Sequence, residues 1–232
     1  MQRSSFTACA FILASLLFTC ARAQELPFSV GADIRLTTSS QVFPTPFSID
    51  PFQRNATDDL GSFASAAVHA RHGIIDLLQV QLSFEYIQNT NTTFDNYDTP
   101  TEDGFTVYAS ELSGIFTLPF SSKTIRMYAG GGVGAYYGQR DYNIAGIASE
   151  PTDRDLSFGI HVLFGLQWML TERLGVRAEF LFRDPQMTVY NRFNQRTAAA
   201  NGVEYTFPQE QFPSKINLNG NVYLLGIEWM LR

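Results

Sequence analysis

The mature chain predicted from this sequence has no cysteine, which excludes a disulfide framework and thiol chemistry. Both cysteines, Cys9 and Cys20, fall within the first 23 residues. Those residues have a short basic start, an apolar run and an Ala-Arg-Ala cleavage site at positions 21–23, the pattern of a secretory signal peptide. We therefore expect a signal peptide over 1–23 and one domain over 24–232, held together by strand pairing and side-chain packing alone.

Long apolar runs and lysine are scarce as well. After the leader, no apolar stretch approaches the ~18 residues that a membrane helix needs. Lys123 and Lys215 are the two lysines, and the formal net charge is −6, so nothing in the charge balance indicates a nucleic-acid partner. The three histidines, His69, His72 and His161, fall on separate predicted elements without clustered carboxylates. We therefore predict no metal site and no cofactor.

What the sequence does contain is a two-residue alternation that recurs along the whole mature chain. It is clearest at the end, where Leu224, Gly226, Glu228 and Met230 alternate with an apolar face formed by Tyr223, Leu225, Ile227, Trp229 and Leu231. The alternation predicts about eight strands, of which the one near residues 60–71 is the least regular. Tight turns at 71–75, 119–123 and 171–175 alternate with long polar loops at 38–59, 88–104, 139–155 and 191–219. An up-and-down barrel with one decorated rim shows this asymmetry.

The direction of the apolar face decides between two kinds of barrel. A secreted lipocalin-like barrel would keep its apolar residues inside. However, the interior of an eight-stranded barrel is just wide enough to be filled by side chains. The apolar face carries too much bulk for that space: Phe28, Phe84, Tyr86, Tyr108, Phe116, Tyr137, Phe158, Phe164, Trp168, Phe180, Phe182 and Trp229. We therefore predict that the apolar face points outward into lipid and that the face rich in small and polar residues lines the lumen.

The predicted lumen face also carries charges of both signs in nearly equal number. Charges that are costly to desolvate are retained when they are paired. We expect a ladder of ion pairs that plugs the lumen, formed by Asp33, Arg35, Arg71, Glu85, Glu111, Arg126, Arg177, Glu179, Arg183 and Glu228.

At this point the sequence resembles the eight-stranded bacterial outer-membrane barrels of the OmpA/OmpX type. The likeness covers the whole mature chain as a pattern of strands and loops. It implies a monomer in the bacterial outer membrane, surrounded by lipid and lipopolysaccharide and delivered by periplasmic chaperones to the barrel-assembly machinery. In that family the last strand carries an assembly signal, which Gly226, Trp229 and Leu231 match, although this chain ends on Arg232 rather than on an aromatic residue.

The resemblance implies a structural or surface-interaction (adhesion-like) role and no enzymatic activity. Two alternatives stay open: a narrow pore or conduit for small hydrophobic molecules, as in OmpW-like barrels, and, less favoured, a lipid-modifying enzyme of the outer membrane. The glycine-rich stretch 130–135 nominally fits a dinucleotide fingerprint, but the strand continues where that fingerprint requires a helix. The acidic segment 95–103 could hold a divalent cation, although an ordinary solvated loop is the simpler interpretation.

Overall fold

The computed structural model describes residues 27–122 and 124–231, and this part of the chain is mainly β-strand. The predicted signal peptide lies outside the described residues. Within them, no helix is long and apolar enough to cross a membrane. The elements are β1 (Phe28–Thr37), β2 (Gln41–Phe43), α1 (Pro51–Arg54), β3 (Asp58–Asp59), β4 (Phe63–Ile75), β5 (Leu78–Phe94), β6 (Pro100–Thr117), β7 (Ile125–Ile144), β8 (Ile147–Arg154), β9 (Ser157–Met169), β10 (Leu174–Arg183), β11 (Gln186–Phe193), β12 (Thr197–Ala200), β13 (Val203–Thr206), β14 (Phe212–Asn217) and β15 (Gly220–Leu231).

Eight of these strands close an antiparallel barrel in the order β1-β4-β5-β6-β7-β9-β10-β15. The first and last strands seal it, with an unbroken register from Phe28↔Leu231 to Thr37↔Val222. The closed eight-stranded architecture predicted from the sequence is thus confirmed. The least regular predicted strand, near residues 60–71, corresponds to β4 and pairs with β1 along its length.

The barrel wall turns its large apolar side chains outward, as predicted. Ile34, Phe158 and Ile160 are 68%, 72% and 75% exposed, and the outward positions of the neighbouring strands are similarly apolar. A continuous apolar belt of this size is not stable against water. Its alternation with polar inward positions is that of a wall that faces the hydrocarbon of a bilayer.

Above the barrel, the connections predicted as long polar loops prove to be largely β-structure. Strands β5, β6 and β7 continue beyond the barrel, and β8, β11, β14, β2 and β3 extend the same sheet. We call this region the cap and define it as residues 38–62, 87–107, 138–156 and 184–219. The loop prediction was wrong here because the β5–β6 ladder continues without a break up to Phe94↔Pro100, so polar composition did not end the strands.

The apolar residues move from the outward face to the inward face of the strands where the barrel meets the cap. Below this level Phe84 and Tyr86 of β5 point outward, whereas Ile87 and its partner Val107 point inward and are fully buried. The rings of Tyr86 and Tyr108 contact each other on the outer surface, with centroids 5.4 Å apart. Aromatic residues concentrate at the boundary between lipid and water. The apolar face therefore switches from outside to inside where the surrounding medium changes from lipid to water.

Candidate functional site

The barrel lumen contains a closed ring of four ion pairs. Arg35 contacts Glu85 and Glu111 at 2.8 and 2.9 Å, and Arg183 contacts the same two carboxylates at 2.5 and 3.2 Å. These four side chains are at most 2% exposed. The hydroxyl of Tyr136 donates a further hydrogen bond of 2.9 Å to Glu111. Charges of opposite sign therefore alternate around the ring, and each charge has two partners.

A second group of polar side chains adjoins this ring toward the short-turn end. The Arg177 guanidinium donates two hydrogen bonds to Asp33, at 2.9 and 2.6 Å, and a third of 2.8 Å to Gln81. Nδ1 of His69 lies 3.1 Å from the same aspartate. A bidentate guanidinium–carboxylate pair fixes both groups more firmly than a single contact would. Glu179 joins the group through Arg177, at 3.5 Å, and accepts a hydrogen bond of 3.0 Å from Tyr128.

A third group lies at the seam between the first and last strands. Glu228 of β15 accepts hydrogen bonds from Ser29 of β1 and from Gln167, the latter at 3.0 Å. Arg71 lies 3.6 Å from Glu228 and donates a hydrogen bond of 2.8 Å to Gln81. The lone carboxylate of the otherwise apolar terminal strand is thus part of the lumen network.

The structure brings together every residue of the predicted network except Arg126. Arg126 is the second residue of β7 and lies at the short-turn mouth, where it lines a cavity of about 410 Å³ with Gln79, Ser121 and Ser122. It makes no ion pair among the described residues. Its position near the strand end places it below the level of the lumen carboxylates. Alternation predicts that Arg126 points inward, but it does not predict this level along the barrel axis.

Glycines in the wall make room for several of these polar groups. A methyl group on Gly226 would overlap the Asp33 carboxylate and lie 2.7 Å from the Ala32 carbonyl oxygen. A methyl group on Gly31 would overlap the His69 ring, and Gly165 provides the same space for Tyr128. The glycine of the predicted assembly signal therefore has a structural reason of its own, whereas Trp229 and Leu231 point outward and are 46% and 44% exposed.

Several members of the lumen network were not part of the predicted ladder of ion pairs. Ser29, Gln81 and Gln167 fall on the predicted lumen face but carry no charge, whereas Tyr128 and Tyr136 were not assigned to it. The aromatic residues were missed because all bulk was assigned to the lipid face. Their inward parity, together with glycines at neighbouring inward positions, is the signal that could have found them.

One buried pair resembles a nucleophile and its base. The Ser113 hydroxyl lies 2.7 Å from Nε2 of His161, and the two residues are 2% and 3% exposed. Both are enclosed within the barrel, so a substrate has no route to them. In residues 27–122 and 124–231 there is also no group of three or more His, Cys, Asp or Glu side chains arranged to hold a metal ion.

Above the ionic layers, apolar side chains fill the interior of the cap. Phe105, Val107 and Ile87 from the extended hairpin are fully buried. They belong to one cluster, which we call the lid: Val42, Leu60, Phe63, Ile87, Phe105, Val107, Ala109, Tyr136, Met187, Val189, Ile216 and Leu218. Tyr136 belongs to both layers, since its ring packs in the lid while its hydroxyl reaches Glu111.

A buried arginine ties the strands of the cap together. Arg140 donates to both carboxylate oxygens of Asp103, at 2.7 and 2.5 Å, and to the Ser214 hydroxyl at 2.8 Å. Its guanidinium also lies over the Tyr142 ring, 4.0 Å from the centroid. Burial raises the pKa of Tyr142, and burial together with the nearby Asp103 carboxylate raises the pKa of Asp58. The distal ends of the cap are joined by Tyr205, whose hydroxyl donates to Asp95 at 2.5 Å.

Comparison with known families accounts for this arrangement of belt, lumen and cap. The sequence profile of the outer membrane protein beta-barrel domain family matches residues 7–207. The chain belongs to this family. As an outer-membrane barrel, it lies in the bacterial outer membrane. Barrels of this class carry short turns on the periplasmic side and longer connections outside the cell.

Among solved structures, this outer-membrane barrel is similar to the outer membrane protein OprG from Pseudomonas aeruginosa, at 12% identity and a TM-score of 0.64, over 89% of this chain and 96% of that one. It is also similar to Ail, the attachment invasion locus protein of Yersinia pestis, at 12% identity and a TM-score of 0.45, over 90% and 100% of the two chains. Neisserial surface protein A matches at 15% identity and a TM-score of 0.42, over 87% and 96%. No curated protein sequence matches the chain significantly.

Proposed function

We propose that this barrel is a surface-interaction protein whose lumen is closed, so that the barrel anchors the cap and conducts nothing. The supporting observation is that two successive layers fill the interior. The first is the ring of Arg35, Arg183, Glu85 and Glu111, with side chains at most 2% exposed. The second is the lid, in which Phe105 is fully buried.

The two layers would resist solutes for different physical reasons. Guanidinium and carboxylate groups that are already paired cannot hydrate a passing ion without losing a partner, which is costly in a desolvated site. The lid offers no charged group to a passing ion, and its side chains are at most 7% exposed. A pore would need to open both layers at once.

The cap has the properties of a presentation surface. Its strands are ordered by backbone ladders and by the Arg140–Asp103 pair. Several large apolar side chains nevertheless stay exposed in the connection between β2 and β3, including Phe47, Ile49 and Phe52 at 64%, 98% and 89%. Exposed apolar residues on a rigid support are typical of binding surfaces.

Planar-bilayer recording of the refolded protein tests the closed lumen. We expect no steady conductance from the wild-type protein. Stable conductance steps would contradict the proposal and favour a pore. The role of the cap is tested on cells that display either the full protein or a variant with residues 45–55 and 197–206 replaced by short turns. If both adhere equally to surfaces, the interaction role is wrong.

One observation favours the second candidate, a conduit for small hydrophobic molecules. An apolar groove of about 760 Å³ runs along the lipid-facing wall, between Leu225 and Ile227 on one side and Phe84 and Tyr86 on the other. Its floor is the β1–β4 ladder, which is unbroken from Phe28↔His72 to Thr37↔Phe63. A conduit would require this ladder to open. A disulfide engineered between cysteines at Ala32 and Val68 would then abolish transfer of a hydrophobic probe, whereas a closed barrel would show no transfer with or without it.

A further inference from the structure

In the part of the chain that the structure describes, the main sheet of the cap has two free strand edges of interest, and they differ in how they are protected. One is β3, which is two residues long and consists of Asp58 and Asp59. Short, charged edges resist pairing with other chains. The other is the distal half of β5, because the β4–β5 ladder ends at Ala66↔Tyr86 while β5 continues to Phe94.

The free part of β5 carries no protective feature. Its sequence from Gln88 to Phe94 is Gln-Asn-Thr-Asn-Thr-Thr-Phe, without charge or proline. Residues 90–94 are all exposed. At about 3.3 Å per residue, seven residues present an edge of roughly 20 Å. Natural proteins usually shield an edge of this length with charges, proline or a bulge, so its persistence here indicates use.

The register shows which backbone groups are available. The Asp95 N–H donates to the Thr99 carbonyl, and the Leu77 carbonyl accepts from the Thr117 N–H. Odd-numbered residues of β5 therefore direct their N–H and C=O groups toward β6. Because the ladder has no bulge between these points and the direction alternates along a strand, Thr90, Thr92 and Phe94 direct theirs off the sheet. None of these groups bonds to another described residue.

We propose that the free edge of β5, residues 88–94, binds an extended polypeptide segment of a partner by β-strand addition. In this mode main-chain hydrogen bonds hold the partner strand, and alternate side chains determine its specificity. This inference rests on the proposed surface-interaction role and names the class of partner. The uncharged stretch accepts a strand of neutral or basic character, because the cap around it carries 14 Asp and Glu against 6 Lys and Arg, a net of −8.

A second copy in the same membrane is a poor occupant for geometric reasons. Two barrels in one bilayer are related by a twofold axis along the membrane normal, so their β5 strands both run outward and would pair in parallel. In that arrangement the same residue of each copy lies opposite itself, with N–H facing N–H, whereas a parallel ladder needs a stagger. A flexible segment of another polypeptide has no such restriction.

The parity of the edge gives a sharp test. Peptides are selected from a displayed library of random octapeptides on the protein in lipid nanodiscs, with empty nanodiscs as counter-selection. With a selected peptide bound, hydrogen exchange should slow at the amides of Thr90, Thr92 and Phe94. It should stay unchanged at Asn91 and Thr93, whose amides already bond to β6. Failure to enrich any peptide, or protection without this alternation, overturns the proposal.

A proline variant tests the same edge by affinity. Thr92→Pro removes an N–H that the β5–β6 ladder does not use, so the barrel should fold and peptide binding should fall by at least roughly tenfold. Thr92→Val keeps the N–H and the branched side chain and should bind like wild type. Equal binding by Thr92→Pro overturns the proposal, and if that variant does not fold, the amide parity in wild type decides. If no peptide binds the edge and the bilayer recording shows no conductance, only the edge proposal fails. The closed-lumen proposal is tested separately, by the conductance measurement.

Discussion

The lumen of the barrel and the interior of the cap form one continuous interior, and the two parts are filled by opposite means. In the lumen, Arg35, Arg183, Glu85 and Glu111 exclude solvent as a ring of ion pairs. In the cap, Phe105, Ile87 and Val107 do so as an apolar core. The difference follows from what lies outside the wall. Where lipid takes the apolar side chains, the inner face can be polar, and where water surrounds the wall, the apolar side chains turn inward.

The largest expected effect comes from breaking the ionic ring. Glu85→Ala leaves two buried guanidiniums short of a partner, because Arg35 and Arg183 share this carboxylate. Loss of one partner of a buried pair costs about 3–5 kcal/mol. We expect a loss of that size in the free energy of unfolding, measured by urea titration in detergent. The adjacent Phe84→Ala, which is outward and 53% free of protein contact, should cost at most about 1.5–3 kcal/mol, because its ring leaves water for detergent on folding; a loss equal to or larger than that of Glu85→Ala would contradict the assignment of the two faces.

Breaking the apolar closure should cost somewhat less. Phe105→Ala opens a cavity in the lid, and a buried Phe→Ala change costs roughly 3 kcal/mol at the lower end of its range. We expect a loss of this size with no conductance, because the ionic ring below stays intact. Phe94→Ala on the same strand pair is 66% exposed and should change stability by at most about 0.5 kcal/mol. Conductance from Phe105→Ala would show that the lid alone closes the barrel.

The glycine at the seam sharpens the comparison, because it separates packing from assembly. Gly226→Ala forces a methyl group against the Asp33 carboxylate, and overpacking of this kind costs about 1–3 kcal/mol. We expect a lower urea midpoint even when the protein refolds in detergent without any assembly machinery. Gly114→Ala is the control, since a methyl group there meets nothing nearer than 3.9 Å. Unchanged refolding stability of Gly226→Ala would leave the assembly signal as its sole role.

The smallest effect concerns an exposed contact of the cap. The hydrogen bond from Tyr205 lowers the pKa of Asp95, and the same bond raises the pKa of Tyr205. A lowered acid pKa means that the contact is complete above about 3.9 and weakens as the pH falls through the shifted value. The raised tyrosine pKa means that the contact is complete below about 10 and is lost as the pH rises through the raised value. We expect the NMR shifts of the Tyr205 ring to stay constant between these limits. In Asp95→Asn, which has no carboxylate at this position, we expect no change of these shifts at low pH.

Much of the barrel could be predicted because the alternation of side chains is a local property. The outward face of β15 and the inward position of Glu228 follow from parity alone. The cap could not be predicted in the same way, since Ile87 and Val107 carry an apolar signal on the face that is polar a few residues earlier. That inversion depends on where the bilayer ends, and the sequence of a single strand does not show this position.

The network illustrates the same limit. The sequence identified the charged residues, but it could not choose partners among them, because the Arg177–Asp33 pair depends on how β10 and β1 are staggered around the barrel. Arg126 has the right parity and the wrong height. The direction of a side chain, inward or outward, follows from the order of residues in the strand. Its level along the barrel axis depends on the shear of the closed barrel.

The seam between the first and last strands has a consequence for the timing of folding. Asp33 and Arg177 are 144 residues apart in the chain, and Ser29 and Glu228 are 199 apart. Asp33 therefore lacks its guanidinium partner, and the Ser29 hydroxyl lacks its acceptor, until strands from the far end of the chain arrive. Contacts of such long range make folding slow, and an unfinished wall would expose bare charge and open strand edges to hydrocarbon. We therefore expect closure of the barrel and entry into the bilayer to occur in one cooperative step.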